Sequence, residues 1–116
     1  NCGHEPLLIL DEDGIKNTLK PTGPALGAIA EVEYRIAEII LEPGDIFLGF
    51  TDGITEACSP MNNLFTKKRL EQSVEGAAGA SATRLVEMIR QDLFSFIDNA
   101  PQCDDITILA VKREES

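Results

Sequence analysis

Basic residues are scarce in this 116-residue chain: ten lysines and arginines face twenty aspartates and glutamates, a net charge of −10. A field of that sign repels phosphate backbones, which argues against a nucleic-acid partner. Where carboxylates converge, it favours cations instead. Cysteines number only three, Cys2, Cys58 and Cys103, and no two share a CxxC spacing. That set is no disulfide framework; it fits a reduced, cytoplasmic compartment with the thiols as small packing residues. A zinc site at Cys2 and His4 runs short of ligands, since His4 is the one histidine. No apolar run approaches the roughly 18 residues of a membrane span, and no basic-then-apolar leader opens the chain. Also missing are GxxxxGK[ST], GxGxxG and GxSxG, so the phosphate-cradling loops and the serine-hydrolase elbow find no support.

What is present reads as one domain of ordinary composition, 43% hydrophobic and 26% charged. "PLLIL" (6–10) and "IKNTL" (15–19) flank "DEDG" and predict a β-hairpin closed at Gly14. "DEDG" has a passing likeness to a calcium loop. Its glycine comes fourth rather than sixth, however, and Thr22 stands where the closing glutamate belongs, so it reads as a turn. "KPTGPALGA" is a structured loop. "YRIAEIIL" (34–41) is β-branched enough for a strand, "EPGD" places Pro43 and Gly44 for a type II turn, and "IFLGF" (46–50) is apolar on both faces like a central strand. The expectation is a second hairpin. A short amphipathic run follows, with Thr66 as its expected N-cap and an end near Gly76 and Gly79. Ser81 then caps a clear helix, with Leu85, Ile89, Leu93 and Phe96 on one face and Arg84, Glu87 and Gln91 opposite. "DITILAV" (105–111) returns to strand. Strands joined by short turns, then helices, then a strand indicate an α+β fold: antiparallel sheet with packed helices.

Chemistry is concentrated at two acidic strand ends, Asp52 after "IFLGFT" and Asp104–Asp105 before "ITILAV". On spacing alone these are either turn residues or carboxylates that meet on one side of a sheet. Carboxylates that meet repel unless a proton or cation intervenes, and hard oxygen ligands select Mg²⁺ or Mn²⁺. Spacing does not choose between the two readings.

The blocks "NCGHEPLLIL", "PTGPALG", "LEPGDIFLGFTDGITEA", "LFTKKRL" and "PQCDDITILAV" resemble, in order, successive motifs of the metal-dependent protein serine/threonine phosphatases of the 2C class. The likeness is to their bacterial SpoIIE/RsbU-type branch. Paired D-G-[IV]-T-E-A and D-D-I-T motifs are its most specific part. The resemblance implies a place in an α/β/β/α four-layer sandwich, with residues 1–112 as the C-terminal portion of the phosphatase domain and 113–116 as a charged tail. It implies Asp52 and Asp104 as metal ligands, Gly53 as the residue that lets the backbone turn beside the metal, and Asp105 as a hydrogen-bonding orienter of the ligands. It further implies two Mn²⁺ or Mg²⁺ ions in the intact domain. The implied reaction is hydrolysis of phosphoserine or phosphothreonine on a cytoplasmic regulatory protein, by a metal-activated water.

Two departures qualify the resemblance. Cys2 stands where the family has alanine, a substitution of similar size. The family's D-x-x-G-H-G block, with a further metal-binding aspartate, finds no match; Asp11, Asp13, Asp45, Asp92 and Asp98 sit in turns or on the long helix. The chain, which begins at Asn1 without an initiator methionine, is therefore expected to be a fragment, inactive alone and prone to self-association through uncovered strands. The alternative is a pseudophosphatase-like binding or regulatory module that kept the fold without catalysis. The "PTGPALG" loop is either a border of the substrate site or a rigid surface connection, and His4 either a partner at the site or, as expected, a turn histidine.

Overall fold

Two runs that are apolar on both faces build the centre of the sheet. The computed structural model describes residues 4–24, 27, 29–102 and 104–114. Its strands are β1 (Leu7–Asp11), β2 (Gly14–Leu19), β3 (Ile46–Phe50) and β4 (Ile108–Lys112), and its helices α1 (Asp52–Thr55), α2 (Thr66–Gly76) and α3 (Ala82–Ile97). The strands form one sheet in the order β2-β1-β3-β4 with every pair antiparallel. Leu8 and Leu10 of β1 lie opposite Leu48 and Ile46 of β3, and Ala110 and Ile108 of β4 lie opposite Leu48 and Phe50. This face packs on the helices through Ile54, Leu70, Val74, Leu85, Ile89, Leu93 and Ile97. The α+β expectation holds. The molecule measures 44 × 43 × 18 Å, a slab with one helical layer on one face of one sheet.

The first hairpin forms as expected. Asp13 N donates to Asp11 Oδ1 at 2.8 Å, and Gly14 takes φ +124°, a conformation L side chains avoid. A Cβ there would also run into the Glu75 carboxylate at the end of α2. The register shifts by one residue between Ile9 and Leu10, so β2 carries a bulge at Lys16.

The second expected hairpin does not form. Residues 32–42 are irregular, and Ile36 and Ile40 are 90% and 80% exposed. The reason lies in β3, whose two edges are taken by β1 and β4, so the segment before it finds no ladder there. The turn itself is as expected: Asp45 N donates to the Glu42 carbonyl at 2.9 Å and Gly44 takes φ +88°.

Helix α3 starts where Ser81 Oγ accepts from Arg84 N at 3.1 Å, and its Leu85, Ile89, Leu93 and Ile97 are buried. For α2 the expected cap is corrected. Thr66 is already the first helical residue, with φ +72°; Phe65 precedes it, and no side chain caps the end. Phe65 is 2% exposed and meets Phe96 edge-on at 5.3 Å, so packing rather than capping sets the entry. The last strand begins three residues later than expected, at Ile108.

Candidate active site

β3 ends and β4 begins at the same end of the sheet, because the two run antiparallel with Phe50 opposite Ile108. The pairing extends one step further to Thr51 and Thr107, where Thr51 N donates to the Thr107 carbonyl at 3.1 Å. Thr107 N donates in turn to Thr51 Oγ1 at 3.1 Å, and Thr51 Oγ1 donates to the Asp105 carbonyl at 3.5 Å. Beyond Thr51 the chain turns at once into α1, with Asp52 in its first turn. Asp52 is thus the first residue of a short helix, not the tip of a strand.

Gly53 is buried, and a Cβ on it would collide with the carbonyl oxygen of Asp105. The two acidic segments are therefore in backbone contact, and glycine is required here by close approach. On the other side, Asp105 N donates to Asp104 Oδ1 at 2.7 Å and Gln102 Nε2 donates to the Asp104 carbonyl at 2.8 Å. Asp52, Asp104 and Asp105 are all exposed. A pocket of about 190 Å³ lies beside them, lined among others by Gly53, Glu56, Cys58, Gln102 and Asp104. Glu56 and Thr51, though within "TDGITEA", carried no role in the sequence reading; only the fold shows what they face.

The remaining candidates lie elsewhere. His4 is exposed, with Nδ1 3.2 Å from the Glu5 carbonyl. Cys2, Cys103 and Ala25, Leu26 and Ala28 of the proline- and glycine-rich loop lie outside the described residues.

The profile of the stage II sporulation protein E (SpoIIE) family matches residues 1–114. The chain belongs to the SpoIIE family. Over 113 residues it is 41% identical to Protein IcfG of Synechocystis, covering 97% of this chain and 18% of IcfG. It is 29% identical to the phosphoserine phosphatase RsbU of Bacillus subtilis, covering 98% of this chain and 34% of RsbU. The SiaA-PP2C domain of Pseudomonas aeruginosa superposes with a TM-score of 0.76 at 27% identity, over 94% of this chain and 43% of that one. This SpoIIE-family chain thus spans about a fifth to a third of the curated relatives it matches.

The donor set of this SpoIIE-family site suits a hard divalent cation in kind. Asp52 and Asp104 offer carboxylate oxygens from adjoining segments, and Mg²⁺-type ions take one or two protein carboxylates while keeping several waters. Among the described residues, no three of histidine, cysteine, aspartate and glutamate converge on one metal position. No helix among them is long and apolar enough to cross a membrane.

Proposed function

We propose that this chain supplies part of the active site of a Mn²⁺- or Mg²⁺-dependent protein serine/threonine phosphatase, acting in the cytoplasm on a phosphorylated regulatory protein. The observation that carries the reading is the backbone contact of Gly53 with Asp105, which sets "TDGITEA" against "DDIT" in a SpoIIE-family chain. Asp52 and Asp104 are the metal ligands. Asp105 orients Asp104 by donating its amide to Oδ1. A bound divalent cation would supply Lewis acidity toward a phosphoryl oxygen and toward water. The chain's own part is to bring two carboxylate-bearing segments together at one end of the sheet, Asp52 in the first turn of α1 and Asp104 in the irregular segment that leads into β4. No nucleophilic side chain is needed.

On this reading residues 1–112 form the C-terminal portion of a phosphatase domain, consistent with the 43% of the SiaA-PP2C chain that is matched. The 116 residues alone are then expected to bind Mn²⁺ weakly and to turn over little. The test is phosphate release from a phosphoserine peptide by the full-length protein, with and without Mn²⁺. Asp52→Asn and Asp104→Asn should each lower the rate by at least about a hundredfold without altering the unfolding midpoint. Turnover missing altogether with Mn²⁺ present replaces the enzyme by the non-catalytic binding module, whereas turnover indifferent to both substitutions removes Asp52 and Asp104 as the metal ligands.

A further inference from the structure

The hydroxyl of Thr51 occupies a place that backbone normally fills. In the antiparallel ladder of β3 and β4, paired positions sum to a constant: Ile46 with Lys112, Leu48 with Ala110 and Phe50 with Ile108. Thr51 and Thr107 continue that register. A regular hydrogen-bonded pair exchanges two bonds, each residue's amide reaching the other's carbonyl. Here only one is of that kind, Thr51 N to the Thr107 carbonyl at 3.1 Å. The Thr51 carbonyl has turned away to accept from Ile54 N at 3.1 Å, the bond that starts α1. Thr107 N, deprived of its usual acceptor, donates to Thr51 Oγ1 at 3.1 Å instead. The same hydroxyl donates to the Asp105 carbonyl at 3.5 Å.

Thr51 also precedes the first helical residue, where a threonine commonly turns its oxygen onto the helix amides. It makes no such bond; its side chain is committed to Asp105 and Thr107, in the segment that leads into β4. One residue thus lets β3 become a helix at Asp52 while β4 stays attached through Thr107. The acidic segments before and after this splice are the ones that Gly53 brings into contact.

We propose that Thr51 is the positioning residue of the site: its hydroxyl holds the Asp104–Thr107 segment against the start of α1 and so sets the separation of Asp52 from Asp104. The proposal rests on the phosphatase reading of those carboxylates and extends it to a residue that would touch neither metal nor substrate. Valine at 51 keeps the branched shape and removes the acceptor, leaving Thr107 N without its partner. Serine keeps the acceptor.

The experiment compares full-length wild type, Thr51→Val and Thr51→Ser by Mn²⁺ titration followed by electron paramagnetic resonance of the free ion, together with amide hydrogen exchange in the metal-free protein. The expected result is Mn²⁺ affinity about tenfold weaker in Thr51→Val and near wild type in Thr51→Ser, in the range found when an orienting hydrogen bond to a ligand is removed. Exchange should quicken at Thr107 in the valine variant while Ile89 in α3 stays protected, which separates a displaced segment from a protein that has failed to fold. Equal Mn²⁺ affinity in wild type and Thr51→Val, or a loss that serine does not rescue, overturns the role of Thr51 alone. No Mn²⁺ binding by the wild type overturns the metal-site reading, and this inference with it.

Discussion

Asp45 is 3% exposed and still carries its charge, because three groups converge on it. Lys16 Nζ lies 2.8 Å from Oδ2, Glu42 N donates to the same oxygen at 2.9 Å, and Arg113 is near enough to add its field. The bulge in β2 falls at Lys16, the kind of irregularity that re-aims a side chain. The hydrogen bond from Lys16 chiefly holds the Asp45 carboxyl below the usual carboxylate range, against the opposing effect of burial; the Lys16 ammonium is raised by the same bond. A depressed carboxyl stabilises the fold fully above its unfolded value near about pH 4 and loses that contribution as pH falls through the folded value. The raised ammonium acts at the other end, its contribution present below about pH 10 and lost as pH climbs further. Replacing Asp45 with alanine should therefore cost about 1.5–3 kcal/mol at neutral pH in urea unfolding. The gap from wild type should narrow as pH falls below about 4 and through the folded value, where the wild-type carboxyl takes up its proton and loses its charge. A gap independent of pH would show that Asp45 acts by shape. Sequence showed Asp45 only as the end of a Pro-Gly turn. Its partner lies 29 residues away across a bulge, and no local pattern reports that.

Among the elements, α3 was legible because its signals agree: the cap, the spacing of apolar positions and the polar face all describe one helix, and Ser81, Leu85, Ile89 and Leu93 sit where the pattern put them. Residues 34–41 depart from their strand-like pattern for the opposite reason. Tyr34, Ile36 and Ile40 favour a pleated surface, but such a preference expresses packing against a neighbouring strand, and β3 has no edge to spare. The candidate site is half legible in the sequence. Asp52, Gly53 and Asp104 could be picked out by their motifs, whereas the splice at Thr51 depends on a backbone carbonyl leaving the ladder, which no motif encodes. These contrasts are measurable. Ile89→Ala should cost about 2–5 kcal/mol in chemical unfolding, as expected when a fully buried side chain is truncated. Ser81→Ala should cost about 1 kcal/mol, the usual worth of an N-cap. Ile36→Ser, at a side chain 90% exposed, should stay within about 0.5 kcal/mol of wild type. A large loss there would mean that the segment packs in solution after all.

At the scale of the molecule, the two faces of the sheet are unequal. The helices cover the face of Leu8, Leu48 and Phe50, while on the other Leu109 and Val111 are 58% and 47% exposed beside Gly49 and Phe47. β2 and β4 are outer strands, each with one edge unpaired in the sheet. In the four-layer arrangement implied by the phosphatase resemblance, a second sheet belongs on that open face. The 116 residues alone should then bury it against another copy of themselves. Two forces compete in that association. Apolar contact draws the faces together at about 25 cal/mol per Å² removed from water, and a net charge of −10 on each copy pushes them apart. Salt screens the repulsion and strengthens exclusion of apolar surface, so self-association should increase with ionic strength, opposite to an interface built on ion pairs. Sedimentation velocity of the isolated chain over a range of concentrations and sulfate levels reads this directly. Leu109→Lys with Val111→Lys should abolish the dimer while preserving the far-ultraviolet spectrum, because both side chains point away from the helical layer. A wild-type chain that sediments as a monomer in every condition would mean that the exposed face is tolerated in water and needs no partner.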